Sequence, residues 1–147
     1  MNEFIVVLED NDSRAKKIKR EIEKRATDAA VLIFDNAPAI IAWLNGNRQS
    51  VRLVLLDHDL GPERKKSGKG MKPGTGRDVV KFLSTKKPCC PILIHSANQI
   101  GSDIMVRELK DAGWTVERIM PFSGLKGGEA FWSRISALLK KTPSKSK

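Results

Sequence analysis

Two acids and a histidine stand together at Asp57-His58-Asp59, directly behind the apolar run Leu53-Val54-Leu55-Leu56 and ahead of Leu60-Gly61. A short apolar run that stops in a polar cluster and then glycine reads as a buried strand delivering those groups to the edge of a sheet. Two further runs end in the same way: residues 4–8 run into Glu9-Asp10, and residues 92–94 into His95-Ser96-Ala97-Asn98. Carboxylates, imidazoles, a hydroxyl and an amide gathered at three strand ends could hold a cation and move protons. In an open parallel sheet, ligands collect beyond the carboxyl ends of the strands, so these clusters are expected to converge on one site.

The elements that must position them follow from periodicity. Residues 4–8 are continuously apolar, as a parallel strand buried on both faces should be. Asn11-Asp12-Ser13 caps a helix that turns Ala15, Ile18, Ile22 and Ala26 inward and leaves Arg14, Lys16, Lys17, Lys19 and Arg20 on the wet face. A second strand is expected over residues 29–34. Asn36-Ala37-Pro38 then opens a second helix through Ile40, Ile41, Trp43 and Leu44, which stops at Asn45-Gly46. Residues 51–56 form the third strand and residues 78–83 a third helix. Between them, residues 61–76 are irregular and rich in Gly and Lys, and loops of that length are usually functional. Their Ser-Gly-Lys-Gly does not satisfy the phosphate-loop pattern, which argues against nucleoside triphosphate binding there.

Residues 91–94 make a fourth strand, and Ile104, Met105, Leu109 and Ala112 mark a helix ended by Gly113. Residues 114–120 read as a weaker edge strand interrupted by Glu117 and Arg118. A last amphipathic helix covers residues 129–140. One domain is expected over residues 1–141, with residues 142–147 a disordered basic tail. Five alternations of strand and helix, without internal repeat, define an α/β fold of the three-layer doubly wound kind, (βα)5.

The net charge of +10 favours an anionic partner or simply solvates the surface. Cys89 and Cys90 are adjacent and make no long-range disulfide framework, which suits a reducing cytoplasm. The five-residue apolar run after Met1-Asn2-Glu3 is too short for a signal peptide or a membrane span, so no membrane partner is expected.

Glu9-Asp10 after the first strand, Asp57 ending the third, Ser96-Ala97 ending the fourth and Pro121-Phe122 after the fifth resemble the receiver domain of two-component response regulators. The resemblance implies a receiver/flavodoxin-like sheet in order 2-1-3-4-5, with two helices on one face and three on the other. Strands one, three and four are the apolar ones, as central strands should be. It also implies that Glu9, Asp10, Asp57 and the backbone carbonyl of Asp59 hold Mg²⁺ or Mn²⁺, that Asp57 accepts a phosphoryl group from a histidine kinase, and that Ser96 contacts phosphate. Two positions depart from that family. Met120 stands where it has a phosphate-pairing lysine, and Glu117 where it usually has an aromatic switch residue.

Leu56-Asp57-His58-Asp59-Leu60-Gly61, Thr75-Gly76 and His95-Ser96-Ala97-Asn98 with Gly101 and Met105 are similar to the divergent cyclic-phosphate processing receiver domains. That resemblance implies metal-assisted processing of cyclic phosphates, its partner a phosphate-bearing small molecule or an RNA end. The chain holds no other histidines than His58 and His95. Counting alternation outward from Asp57 and Ser96 predicts that both rings leave on one face, as a general acid and general base would require. In the plainer reading either ring only bonds a loop carbonyl, Ser96 caps the next helix and Asn98 starts a turn. Lys65, Lys66, Lys69 and Arg77 could steer an anion. A nucleic-acid binding module is the third alternative, supported by charge but by no aromatic stacking platform.

Overall fold

The structure, a computed structural model, describes residues 3–61, 72–120 and 128–141. The chain alternates β1 (Phe4–Leu8), α1 (Asp12–Arg25), β2 (Ala30–Phe34), α2 (Ala37–Asn47), β3 (Val51–Leu56), α3 (Gly76–Ser84), β4 (Ile92–Ile94), α4 (Gln99–Asp111), β5 (Val116–Arg118) and α5 (Gly128–Lys141). All strand pairs are parallel, and the sheet order is β2-β1-β3-β4-β5, as the sequence predicts. Among the described residues no helix is long and apolar enough to cross a membrane.

Strand alternation sorts the core into two layers. Val6, Leu8, Val54, Leu56, Ile92 and Ile94 point to the face covered by α2, α3 and α4, where they meet Ile40, Leu44, Val79, Leu83, Met105 and Leu109. Ile5, Val7, Leu53, Leu55 and Leu93 point to the opposite face, under Ile18 and Ile22 of α1 and Phe131 and Ile135 of α5. Both faces of β1 and β3 are therefore dry, which is why Phe4–Leu8 is an unbroken apolar run and β3 is apolar except for Arg52, which is buried beside Glu3 and Asp28.

Asparagines start three helices. Asn11, Asn36 and Asn98 accept the backbone N–H of Arg14, Ala39 and Gly101, at 2.9, 2.8 and 2.8 Å. Each cap also turns the chain sharply after a strand, so the polar residues beyond β1 and β4 stay at the sheet edge. The fifth strand is shorter than the seven residues expected from the sequence, because Trp114 is drawn into the core and its indole N–H donates to Leu83 O at 3.1 Å. A buried indole needs that acceptor, and the strand begins only after it. Residues 62–71, 121–127 and 142–147 lie outside the described residues, so the expectations for most of the long loop, for Pro121-Phe122 and for the tail fall there.

Candidate functional site

Register decides which side chains meet. Leu8 pairs with Leu56 and Leu56 with Ile94, so the next residues on the three strands, Glu9, Asp57 and His95, follow at one level. All three are buried. One carboxylate oxygen from each of Glu9, Asp10 and Asp57 lies within 4.8 Å of the others. Burial, followed by the charges of Glu9 and Asp10, pushes the Asp57 carboxyl up to about 7, although the His58 N–H and Arg14 oppose the shift. Like charges crowded out of water give this signature, and a hard cation on the three carboxylates would relieve it. The donor set therefore fits the divalent ion expected there.

Arg14 was missed by the sequence reading, which left it on the solvated face of α1. Its fork instead grips Glu9, Nε to Oε1 at 2.8 Å and Nη2 to Oε2 at 2.9 Å, and Nη2 lies 3.8 Å from Asp57 Oδ2. The hydrogen bond to Glu9 raises the Arg14 guanidinium above its ordinary range. A signal was available: a cation in the first turn of a helix opposes the helix dipole and needs a nearby acid to hold it there.

The two histidines do not share a face, which corrects the sequence expectation. Alternation outward from Asp57 and Ser96 aligns the rings only if those two residues are level, whereas Asp57 is level with His95. His95 consequently turns toward α5, edge-on to Phe131 with ring centroids 5.9 Å apart. It is 1 % exposed, and its Nδ1 stands 3.7 Å from Glu9 Oε1, beyond hydrogen-bond reach. Burial pushes His95 down to about 4, so the ring is neutral at neutral pH.

His58 lies on the α4 side. Its Nδ1 is 2.7 Å from Asp59 Oδ1, and Asn98 Nδ2 reaches both Asp59 oxygens, at 3.3 and 3.4 Å. These contacts, that from His58 first, lower the Asp59 carboxyl below its ordinary range. A carboxylate only accepts, so Nδ1 carries the proton of a singly protonated ring and Nε2 keeps a lone pair. The ring lies flat over Gly101, where an added Cβ would sit 2.8 to 3.0 Å from Cδ2, Nε2 and Cγ. Gly76 is required for a similar reason, since a Cβ there would collide with the Asp57 carbonyl oxygen and approach Met105 Cε to 2.8 Å. Glycine at these two positions lets α3 and α4 close on the acid-bearing strand.

Ser96 is buried, and its hydroxyl accepts the Asn98 N–H at 3.1 Å, while its carbonyl accepts from Arg118 at 3.0 Å. Asn98 is both the cap of α4 and the amide that steadies Asp59, so neither simple alternative describes it fully. Met120 is 61 % exposed, and Glu117 is tied to Arg134 of α5 at 2.6 and 2.8 Å. Arg77 is engaged with Glu108 at 2.8 Å, and Lys65, Lys66 and Lys69 lie outside the described residues.

A parallel sheet in this order, with acids at the ends of β1 and β3 and a hydroxyl after β4, defines a receiver domain. Within that class the chain belongs to the cyclic-phosphate processing receiver domain family, whose sequence profile matches residues 4–111. No curated protein matches the chain. Among solved structures it is similar to the phosphorylated cyanobacterial phytochrome response regulator RcpA, with a TM-score of 0.65 and 16% identity over 100% of this chain and 98% of that one. A two-component response regulator from Clostridium difficile gives 0.64 and 16% over 97% and 100%. The Mn(2+)-bound form of response regulator Rcp1 gives 0.56 and 18% over 92% and 90%.

Proposed function

We propose that the chain processes cyclic phosphates or related phosphoesters with the help of Mg²⁺ or Mn²⁺, and that His58 is its proton-transfer group. The contact between Asp59 and His58 carries this reading. A carboxylate that fixes the tautomer of an imidazole beside an acid cluster is what proton transfer needs, and a phosphoryl switch has no use for it. Glu9, Asp10 and Asp57, with the Asp59 carbonyl, would hold the ion, and the Mn²⁺ bound by Rcp1 supports the choice of metal. Bound there, such an ion supplies a Lewis acid for phosphoryl oxygens.

His58 Nε2 takes a proton from water as the water oxygen forms a bond to phosphorus. The endocyclic P–O bond breaks, and the same proton passes to the departing alkoxide, which leaves the ring as it began. Ser96 and Asn98 would orient the phosphoryl group. His95, buried and neutral beside Glu9, keeps a place in the site as a packing partner of that ligand rather than as the second proton carrier. The substrate would be a phosphate-bearing small molecule or an RNA end in the cytoplasm. Incubation with a 2′,3′-cyclic nucleotide and Mn²⁺ tests the reading: His58→Ala should lower turnover by about 10² or more while Mn²⁺ binding persists. Unchanged turnover in that variant removes the mechanism.

A second reading has an observation of its own. Asp57 ends β3 inside the acid cluster, where a receiver domain takes its phosphoryl group, here from a histidine kinase. Stable phosphorylation of Asp57 by acetyl phosphate, without turnover of cyclic nucleotides, would favour it.

A further inference from the structure

The acid cluster contains a cation of its own. Arg14 holds Glu9 with two arms of its fork and reaches toward Asp57 with one of them. Its side chain keeps 29% exposure, so the guanidinium sits at the mouth of the cluster and has room to turn. On the other side of the site Met120 stands where the receiver family has its lysine and is largely exposed, and among the described residues there Arg118 is engaged with the Ser96 carbonyl at 3.0 Å. A thioether cannot neutralise a phosphoryl group, whereas a planar guanidinium matches one with two parallel N–H donors. Glu9 and Asp57 cannot serve Arg14 and a divalent ion equally at once, because cations a few ångströms apart repel strongly.

We propose that Arg14 is the phosphate-binding cation of this site. It covers Glu9 and Asp57 while no metal is bound, and a divalent ion that takes those carboxylates frees its fork for the phosphoryl oxygens of the substrate. The charge that Met120 cannot supply from beyond β5 is supplied from α1. This role rests on the metal-site reading above, and it makes Arg14 a competitor of the metal and a partner of the anion. An arginine that merely orders Glu9 would help metal binding and leave the anion unaffected.

Titration of the wild type and Arg14→Ala with Mn²⁺ by calorimetry, followed by inorganic phosphate at saturating Mn²⁺, separates these roles. Arg14→Ala should bind Mn²⁺ about tenfold more tightly and phosphate about tenfold more weakly. Arg14→Lys, which keeps the charge and loses the fork, should return to the wild-type Mn²⁺ affinity and recover only part of the phosphate affinity. If Arg14→Ala does not fold, Arg14→Gln carries the same expectation in smaller measure. Equal or weaker Mn²⁺ binding by the folded variant, or unchanged phosphate affinity, overturns the proposal and leaves the metal site standing. A wild type that binds Mn²⁺ but no phosphate overturns it as well. If neither protein binds Mn²⁺, the metal-site reading fails and the role of Arg14 fails with it.

Discussion

At the scale of single residues, Asp57 and His95 are shifted in opposite directions by the same burial. The folded carboxyl of Asp57 is raised from 3.8 to about 7, so its contribution to stability is fully present below the unfolded value and is lost as pH rises through 7. His95 is lowered from 6.5 to about 4; its contribution is present above 6.5 and is lost as pH falls toward 4. Between these limits the two slopes oppose each other. In metal-free buffer, His95→Leu should therefore become more stable at pH 4.5 than at pH 6.5 relative to wild type, and Asp57→Asn less stable, each by at least about 1 kcal/mol. Urea midpoints at the two pH values measure this, and parallel profiles in all three proteins would contradict it. The residue types of the site were legible because each sits directly after an apolar run. The pairing of His58 with His95 was misread because alternation fixes parity within a strand, and only the register between β3 and β4 relates one strand to the next. Arg14 was hidden by the opposite habit, since a charge on an amphipathic helix is normally solvated.

At the scale of elements, the approach of α3 and α4 to β3 depends on Gly76 and Gly101, and the obstacles differ in kind. At Gly76 a methyl group would meet backbone, the Asp57 carbonyl, which cannot yield without moving the acid-bearing turn. Gly76→Ala is expected to cost about 2 kcal/mol or more of stability. At Gly101 the obstacle is the His58 ring, which can tilt, and alanine in a helix recovers about 1 kcal/mol. Gly101→Ala should therefore leave thermal stability nearly unchanged while loosening the His58–Asp59 contact and lowering turnover by about tenfold. Equal losses of stability in both variants would show that the ring is as unyielding as the backbone. The sequence placed these glycines beside the site by resemblance alone. The reason for them is a close approach between a helix and a neighbouring strand, which no local pattern records. Helix starts were more legible, because an asparagine cap is a contact within three residues.

At the scale of the molecule, the sheet order was legible because burial on both faces leaves a mark in every residue of β1 and in all of β3 but Arg52, and the alternation of strands and helices limits the ways they can be joined. The same layering places the acid cluster at one end of the sheet inside a chain whose net charge is +10. Ionising Asp57 costs stability because its carboxyl is buried and stands beside the charges of Glu9 and Asp10, which Arg14 offsets only in part, and the raised carboxyl of Asp57 expresses that cost. An ion that binds only the folded chain must then stabilise it. At a free concentration of about 100 times the dissociation constant, Mg²⁺ or Mn²⁺ should add about 2.7 kcal/mol to the unfolding free energy. The ion must displace the proton of Asp57 first, so its apparent affinity should rise as pH increases from about 5 to 7 and level off above that value. Chelation should return the protein to its metal-free stability. Asp57→Asn removes both the charge and the proton, so it should bind the ion more weakly and with little pH dependence over that range. Thermal unfolding with and without the ion, at pH 5.5 and 7.5, reads both effects together. Stabilisation that is equal at the two pH values in the wild type would mean that the ion does not bind through Asp57.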